Sequence, residues 1–151
     1  MKLRSTILAC LAALLASAAP AAAATPSAPA YIDISVQQNI DWRDGLTVRF
    51  LPDEKLCRSK YGNKQWQSAC ATVLGEDGEP VRGIAISPAV PGTWRWAGRT
   101  SARFTPRETL SPSASYTIDT AGMHIPASVK LSRPQAKITT RPLAVSMPQH
   151  N

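Results

Sequence analysis

Histidine is almost missing from this chain, with 2 in 151 residues, and cysteine is scarce, with 3. Neither His124 nor His150 stands at metal-ligand spacing from another histidine or a cysteine, so the usual zinc patterns are excluded. No serine sits in a G-x-S-x-G elbow, and the EF-hand calcium pattern does not occur. Glu76, Asp77 and Glu79 read as a solvated turn, with a calcium site as the lesser option. Asp33, Asp41 and Asp44 could meet only through the fold. The sequence therefore predicts no catalytic residue, no metal and no cofactor, and it does not read as an enzyme. Past the first two dozen residues no apolar run approaches the ~20 residues that a membrane-spanning helix needs.

The first segment is different. Lys2 and Arg4 precede an apolar run from Ile7 to Ala16, and Ala22, Ala23 and Ala24 offer small-residue cleavage sites before Thr25. This order of features predicts a cleavable secretory signal peptide over residues 1–24 and a mature protein that is periplasmic or secreted. Ile7-Leu8-Ala9-Cys10 also resembles a lipoprotein cleavage box. Cleavage there leaves almost no apolar region before Cys10, so Cys10 reads as part of the signal. Loss of Lys2 and Arg4 leaves 15 basic against 10 acidic residues, a net charge of +5 instead of +7. That charge favours anionic surfaces, but in an exported protein it does not point to nucleic acid.

Cys57 and Cys70 remain after export. An oxidising compartment and the absence of any other partner predict a disulfide between them, stabilising by roughly 3 kcal/mol. Their spacing is not C-x-x-C, which argues against redox catalysis.

Residues 25–30 form a Pro/Ala/Ser linker, residues 31–142 a single domain, and residues 143–151 a tail. In the domain, apolar residues alternate with polar ones: Ile32, Ile34 and Val36 share one face, as do Leu46, Val48 and Phe50. A period of two is the mark of a half-buried strand. Further strands are expected over Val81–Ser87, Thr93–Ala97, Ser101–Thr105 and Ser115–Asp119, with weaker ones near 71–74, 129–131, 138–140 and 143–145. Asp44-Gly45, Gly75–Pro80 and Pro88–Gly92 supply turns. Prolines recur too often for long helices, and no window is convincingly amphipathic. The fold class is all-β: an immunoglobulin-like β-sandwich with one disulfide-stapled loop. Ile34, Val36, Val48, Phe50, Ile84, Ile86, Trp94, Trp96, Phe104, Tyr116 and Ile118 are expected to fill its core.

One stretch breaks the strand rhythm. From Pro52 to Cys70 the chain is polar and basic, and Lys55, Arg58, Lys60 and Lys64 interleave with Tyr61 and Trp66. Aromatics and arginine favour interfaces, and a staple lowers the entropy lost on binding. These six residues are the candidate binding loop. The alternative is a solvated excursion in which Trp66 covers core.

Ile86-Ser-Pro-Ala-Val-Pro-Gly-Thr-Trp-Arg-Trp96, Ala102-Arg-Phe-Thr-Pro106 and Leu110-Ser-Pro-Ser-Ala-Ser-Tyr-Thr-Ile118 follow one another at short intervals. Together with Leu46-Thr-Val-Arg-Phe50 and Pro52 they resemble the N-terminal immunoglobulin-like domain of bacterial alpha-2-macroglobulin-like proteins. A broader group of bacterial Ig-like domains shares the skeleton. The resemblance covers about residues 31–142. It implies a structural or interaction module of the cell envelope, with Phe50, Trp94, Trp96, Phe104 and Tyr116 as structural core. Tyr116, following Leu110 and Pro112, also suits a tyrosine corner, its hydroxyl bonded to nearby backbone. The family's Cys-Gly-Glu-Gln thioester has no counterpart, since the cysteines read Cys57-Arg-Ser-Lys and Cys70-Ala-Thr-Val. Protease trapping is therefore not carried over. The other reading is a free-standing binding protein that takes an anionic envelope polymer or a host enzyme on the basic loop 55–66. The sequence leaves the oligomeric state open.

Overall fold

Alternation in the sequence becomes pairing in the computed structural model, which describes residues 29–40 and 45–143. The expected signal peptide, the linker up to residue 28, residues 41–44 with Asp41 and Asp44, and the tail 144–151 with His150 lie outside the described residues. Strands β1 (Ala30–Gln38) and β2 (Leu46–Pro52) form an antiparallel pair with Ile34 opposite Phe50 and Val36 opposite Val48. Two short helices follow, α1 (Glu54–Tyr61) and α2 (Trp66–Ala69). The remaining strands are β3 (Ala85–Ser87), β4 (Gly92–Trp96), β5 (Ser101–Pro106), β6 (Ser115–Asp119), β7 (Val129–Leu131) and β8 (Gln135–Thr139).

The strands make two sheets, ordered β4-β5-β2-β1-β7 and β3-β6-β8. All pairs are antiparallel except β1 with β7. The larger sheet curls into a half-barrel. After the β1–β2 pair the chain crosses to the second sheet for β3 and returns for the β4–β5 pair. It then crosses for β6, returns for β7 and leaves again for β8. The all-β expectation holds.

Both sheets contribute to one apolar cluster. Ile32, Leu46, Val48, Phe50, Ala102, Phe104 and Ile118 are buried in it, joined by Ile34, Trp96, Leu110, Tyr116 and Val129. Trp94 stacks on Phe104 at 5.0 Å and Phe50 meets Trp96 at 5.7 Å, so cross-strand ring pairs tie β4 to β5 and β2. Val36, Ile84, Ile86 and Trp94 are half-buried at its margin, where full burial was expected. Two glycines make room for the rings: a Cβ on Gly92 would run into Phe104, and one on Gly75 into the Trp96 indole.

Four expectations need correction. The strand expected over Val81–Ser87 forms only from Ala85. Ahead of it, Glu79 and Val81 bond to Trp96 and Trp94 along the edge of β4. Gly83, at φ 81°, then packs on the Gly122 backbone as the chain crosses between sheets. No strand forms over 71–74, where Leu74 N–H instead reaches the Arg99 carbonyl. Leu143 is exposed and outside any strand. The Tyr116 ring is buried, but among the described residues its hydroxyl makes no hydrogen bond. Buried Thr140 ties that corner instead: its hydroxyl donates to the Ser111 carbonyl at 2.6 Å and accepts from Ala114 N–H at 2.9 Å. A threonine can both donate and accept, so one side chain satisfies two backbone groups there.

Candidate functional site

The polar stretch expected as an irregular loop is a pair of helices, and the local sequence shows why. Asp53 caps α1, its carboxylate accepting from Leu56 N–H at 3.1 Å. Glu54 in the first turn and Arg58 and Lys60 in the last suit the helix dipole, and Glu54 and Arg58 pair at 2.8 Å across one turn. Gly62, at φ 80°, ends the helix by donating to the Arg58 carbonyl. These start and stop signals were present in the sequence. The missing apolar stripe hid them, because the buried face of α1 is supplied by Cys57 and Tyr61 rather than by leucines.

Cys57 and Cys70 form the disulfide, and both are fully buried. The Cys57 sulfur lies 3.2 Å from the Tyr31 carbonyl, a close contact rather than a hydrogen bond, since a disulfide sulfur has no proton to give. The bridge sits in a second apolar cluster, separate from the main core. Ala30 and the cysteines lie at its centre, with Tyr31, Tyr61 and Trp66 around them. The Tyr61 hydroxyl donates to the Pro29 carbonyl at 2.7 Å. Arg58 lies over Trp66, 5.3 Å from the ring centroid, while still paired with Glu54.

The six candidate residues are thus divided. Tyr61 and Trp66 are half-buried against the staple, and Arg58 is held between a carboxylate and a ring. Lys55, Lys60 and Lys64 are exposed. At 3.6 residues per turn, Lys55 and Lys60 stand about 140° apart around α1, so these two cations do not share a face.

The Asp53 carboxyl is held below the ordinary carboxylate value, first by the neighbouring Ser132 hydroxyl and then by the cap bond to Leu56 N–H. Ser132 Oγ is buried and makes no hydrogen bond of full geometry, so the cap bond is the firmer support. Beside it, Arg133 makes a two-pronged ion pair with Asp33 at 3.0 and 2.7 Å, which raises the Arg133 pKa. Asp33 also accepts from Ile34 N–H at 2.9 Å. A groove of about 660 Å³ opens here, between β1 and β8.

Among the acids singled out for calcium, Asp77 accepts from Gly98 N–H at 2.7 Å and so closes a turn. Among the described residues no three of His, Cys, Asp and Glu gather to hold a metal ion. His124 is exposed and makes no hydrogen bond among the described residues. No helix among them is long and apolar enough to cross a membrane. The sequence reading did not anticipate the Asp33–Arg133 pair, whose members lie 100 residues apart.

No family model matches this sequence, and no solved structure matches it. An alpha-2-macroglobulin homolog of Yersinia pestis is 34% identical to it over 68 residues, 44% of this chain. The chain spans 3% of the length of that curated relative, and what it shares with it is this partial likeness.

Proposed function

We propose that this chain is an exported, non-enzymatic interaction module, an immunoglobulin-like domain of the kind that opens bacterial alpha-2-macroglobulin-like proteins. Strand order carries the reading. With β1 to β6 and β8 lettered A to G, the larger sheet holds A, B, E and D in sequence and the smaller one C, F and G. That order is the one expected of a constant-type immunoglobulin domain, and it supports the reading. The partial likeness to an alpha-2-macroglobulin homolog supports the choice of family. The buried disulfide fits an oxidising compartment, in line with the signal-like residues 1–24.

The test is to recover the protein from the periplasm of an exporting bacterium, weigh it intact, and mix it with envelope extract. The expected mass lacks residues up to Ala22, Ala23 or Ala24, and the protein forms a reversible complex that leaves both partners' masses unchanged. Retention of Met1, a lipid on Cys10, or turnover of an extract component by the pure chain would each count against the reading.

A further inference from the structure

Two loops cross between the sheets side by side, at the end of the molecule where β1, β5 and β8 finish. Residues 88–91 carry the chain from β3 to β4, and residues 107–114 carry it from β5 to β6. Arg107 N–H donates to the Pro91 carbonyl at 3.0 Å and joins the loops at one point. Thr140 holds the second loop through Ser111 and Ala114. Between the loops lies a groove of about 580 Å³, with Pro88, Val90, Leu110, Ala114 and Tyr116 among its walls. Ligand sites commonly measure about 300–1,000 Å³.

Two of these wall residues are deeply buried and yet keep polar groups without a protein partner. Tyr116 is 7% exposed and Leu110 is 4% exposed. The Tyr116 hydroxyl makes no hydrogen bond among the described residues and is not sealed from solvent, so it opens on the groove. Leu110 N–H and C=O likewise make no hydrogen bond among the described residues. Nor do the backbone groups of Ala89 and Val90 on the facing loop. Backbone groups at so buried a residue as Leu110 call for a partner. At the rim Arg107 and Glu108 stand side by side, both exposed and neither in an ion pair among the described residues. Their charges cancel, and no other charged residue lines the groove.

We propose that this groove binds a short, uncharged, extended segment of another polypeptide whose side chains are small and apolar. Resting on the interaction-module reading above, it gives that module a contact site. An extended backbone offers N–H and C=O groups in turn, and these meet donors and acceptors that stand on both banks. A compact molecule with a single polar group would leave most of them unmet. A backbone carbonyl of the segment is the acceptor that the Tyr116 hydroxyl lacks. Proline and aliphatic walls suit small apolar side chains, and the balanced rim gives a charged segment nothing to gain. Loops mounted on a rigid frame are where binding groups gather.

The probe is a phage-displayed library of peptides about eight residues long, selected on the full chain and followed by calorimetry with synthetic winners. Enriched peptides should be rich in small apolar residues, carry no net charge and keep their affinity as salt rises. Tyr116→Phe keeps the ring and removes only a hydroxyl that has no protein partner. It should leave the melt in place and weaken the peptides roughly three- to ten-fold. Ala89→Glu changes an exposed residue of the wall and should abolish binding without moving the melt. Hydrogen exchange supplies a reading without any variant: the Leu110 amide should exchange quickly in the free chain, and peptide should slow it. The proposal fails if no peptide is enriched, if the winners are charged and salt-sensitive, or if both variants bind them like the parent. It fails equally if the Leu110 amide is already protected in the free chain, or if a chain ending at Leu143 binds the winners more tightly than the full one. Either result would mean that a segment of this same chain fills the groove. Failure here, alongside a complex from envelope extract that Ala89→Glu leaves unchanged, would reject the groove and leave the module reading standing.

Discussion

Removing the staple is the sharpest test of how the helical excursion is coupled to the sheets. The perturbation is the double variant Cys57→Ala/Cys70→Ala. The bridge joins residues 13 apart, and the chain-entropy relation for so short a loop gives roughly 3 kcal/mol at 25 °C. At roughly 4 °C per kcal/mol for a domain of this size, the midpoint should fall by about 12 °C if the chain melts as one unit. Circular dichroism melts of parent and variant, with the parent repeated in reductant, measure it. The two clusters share no residue, so the coupling runs through β1: Ala30 sits in the second cluster, while Ile32 and Ile34 sit in the first. A variant melting within roughly 3 °C of the parent would refute the reasoning, because the excursion would then unfold without engaging the sheets.

Trp66→Ala should cost about 2 kcal/mol, less than a fully buried tryptophan because the ring is only half-buried, and chemical denaturation reads it directly. Asp53→Ala should lose about 1 kcal/mol at neutral pH through the lost cap, as measured by urea unfolding. Because the folded pKa of Asp53 is depressed, its contribution is full above the ordinary carboxylate value and fades as pH falls through the lower folded one. The gap between parent and variant should therefore close in strongly acidic buffer and stay constant from pH 5 upward. Gly75→Ala should destabilise by about 1–3 kcal/mol in a thermal melt, since its new methyl meets the buried Trp96 indole.

Much of the sheet structure was legible because alternation reports burial directly. The pairs Ile34 with Phe50 and Trp94 with Phe104 follow from runs whose inward residues are all apolar. The single disulfide was legible by elimination. The helices were not, because α1 buries a half-cystine and a tyrosine against a neighbouring turn instead of a leucine stripe against a core. The split of the basic residues among an ion pair, a ring contact and exposed positions also escaped, since charge density in a sequence carries no direction. Thr120 and Thr140 are buried although polar, each bonding to backbone carbonyls contributed by distant segments. Nothing in their local sequence separates them from exposed threonines such as Thr139.

The segregation of the two clusters has a practical side. Everything between Asp53 and Cys70 is knitted to itself by the bridge and meets the rest of the molecule chiefly at Pro29, Ala30 and Tyr31. The excursion is thus an exchangeable cassette mounted on a fixed frame. A foreign loop grafted between Tyr61 and Trp66, with Cys57, Tyr61, Trp66 and Cys70 kept, would inherit the mounting without rewriting the frame's interior. The frame could then serve as a scaffold for displaying constrained peptides on an exported protein.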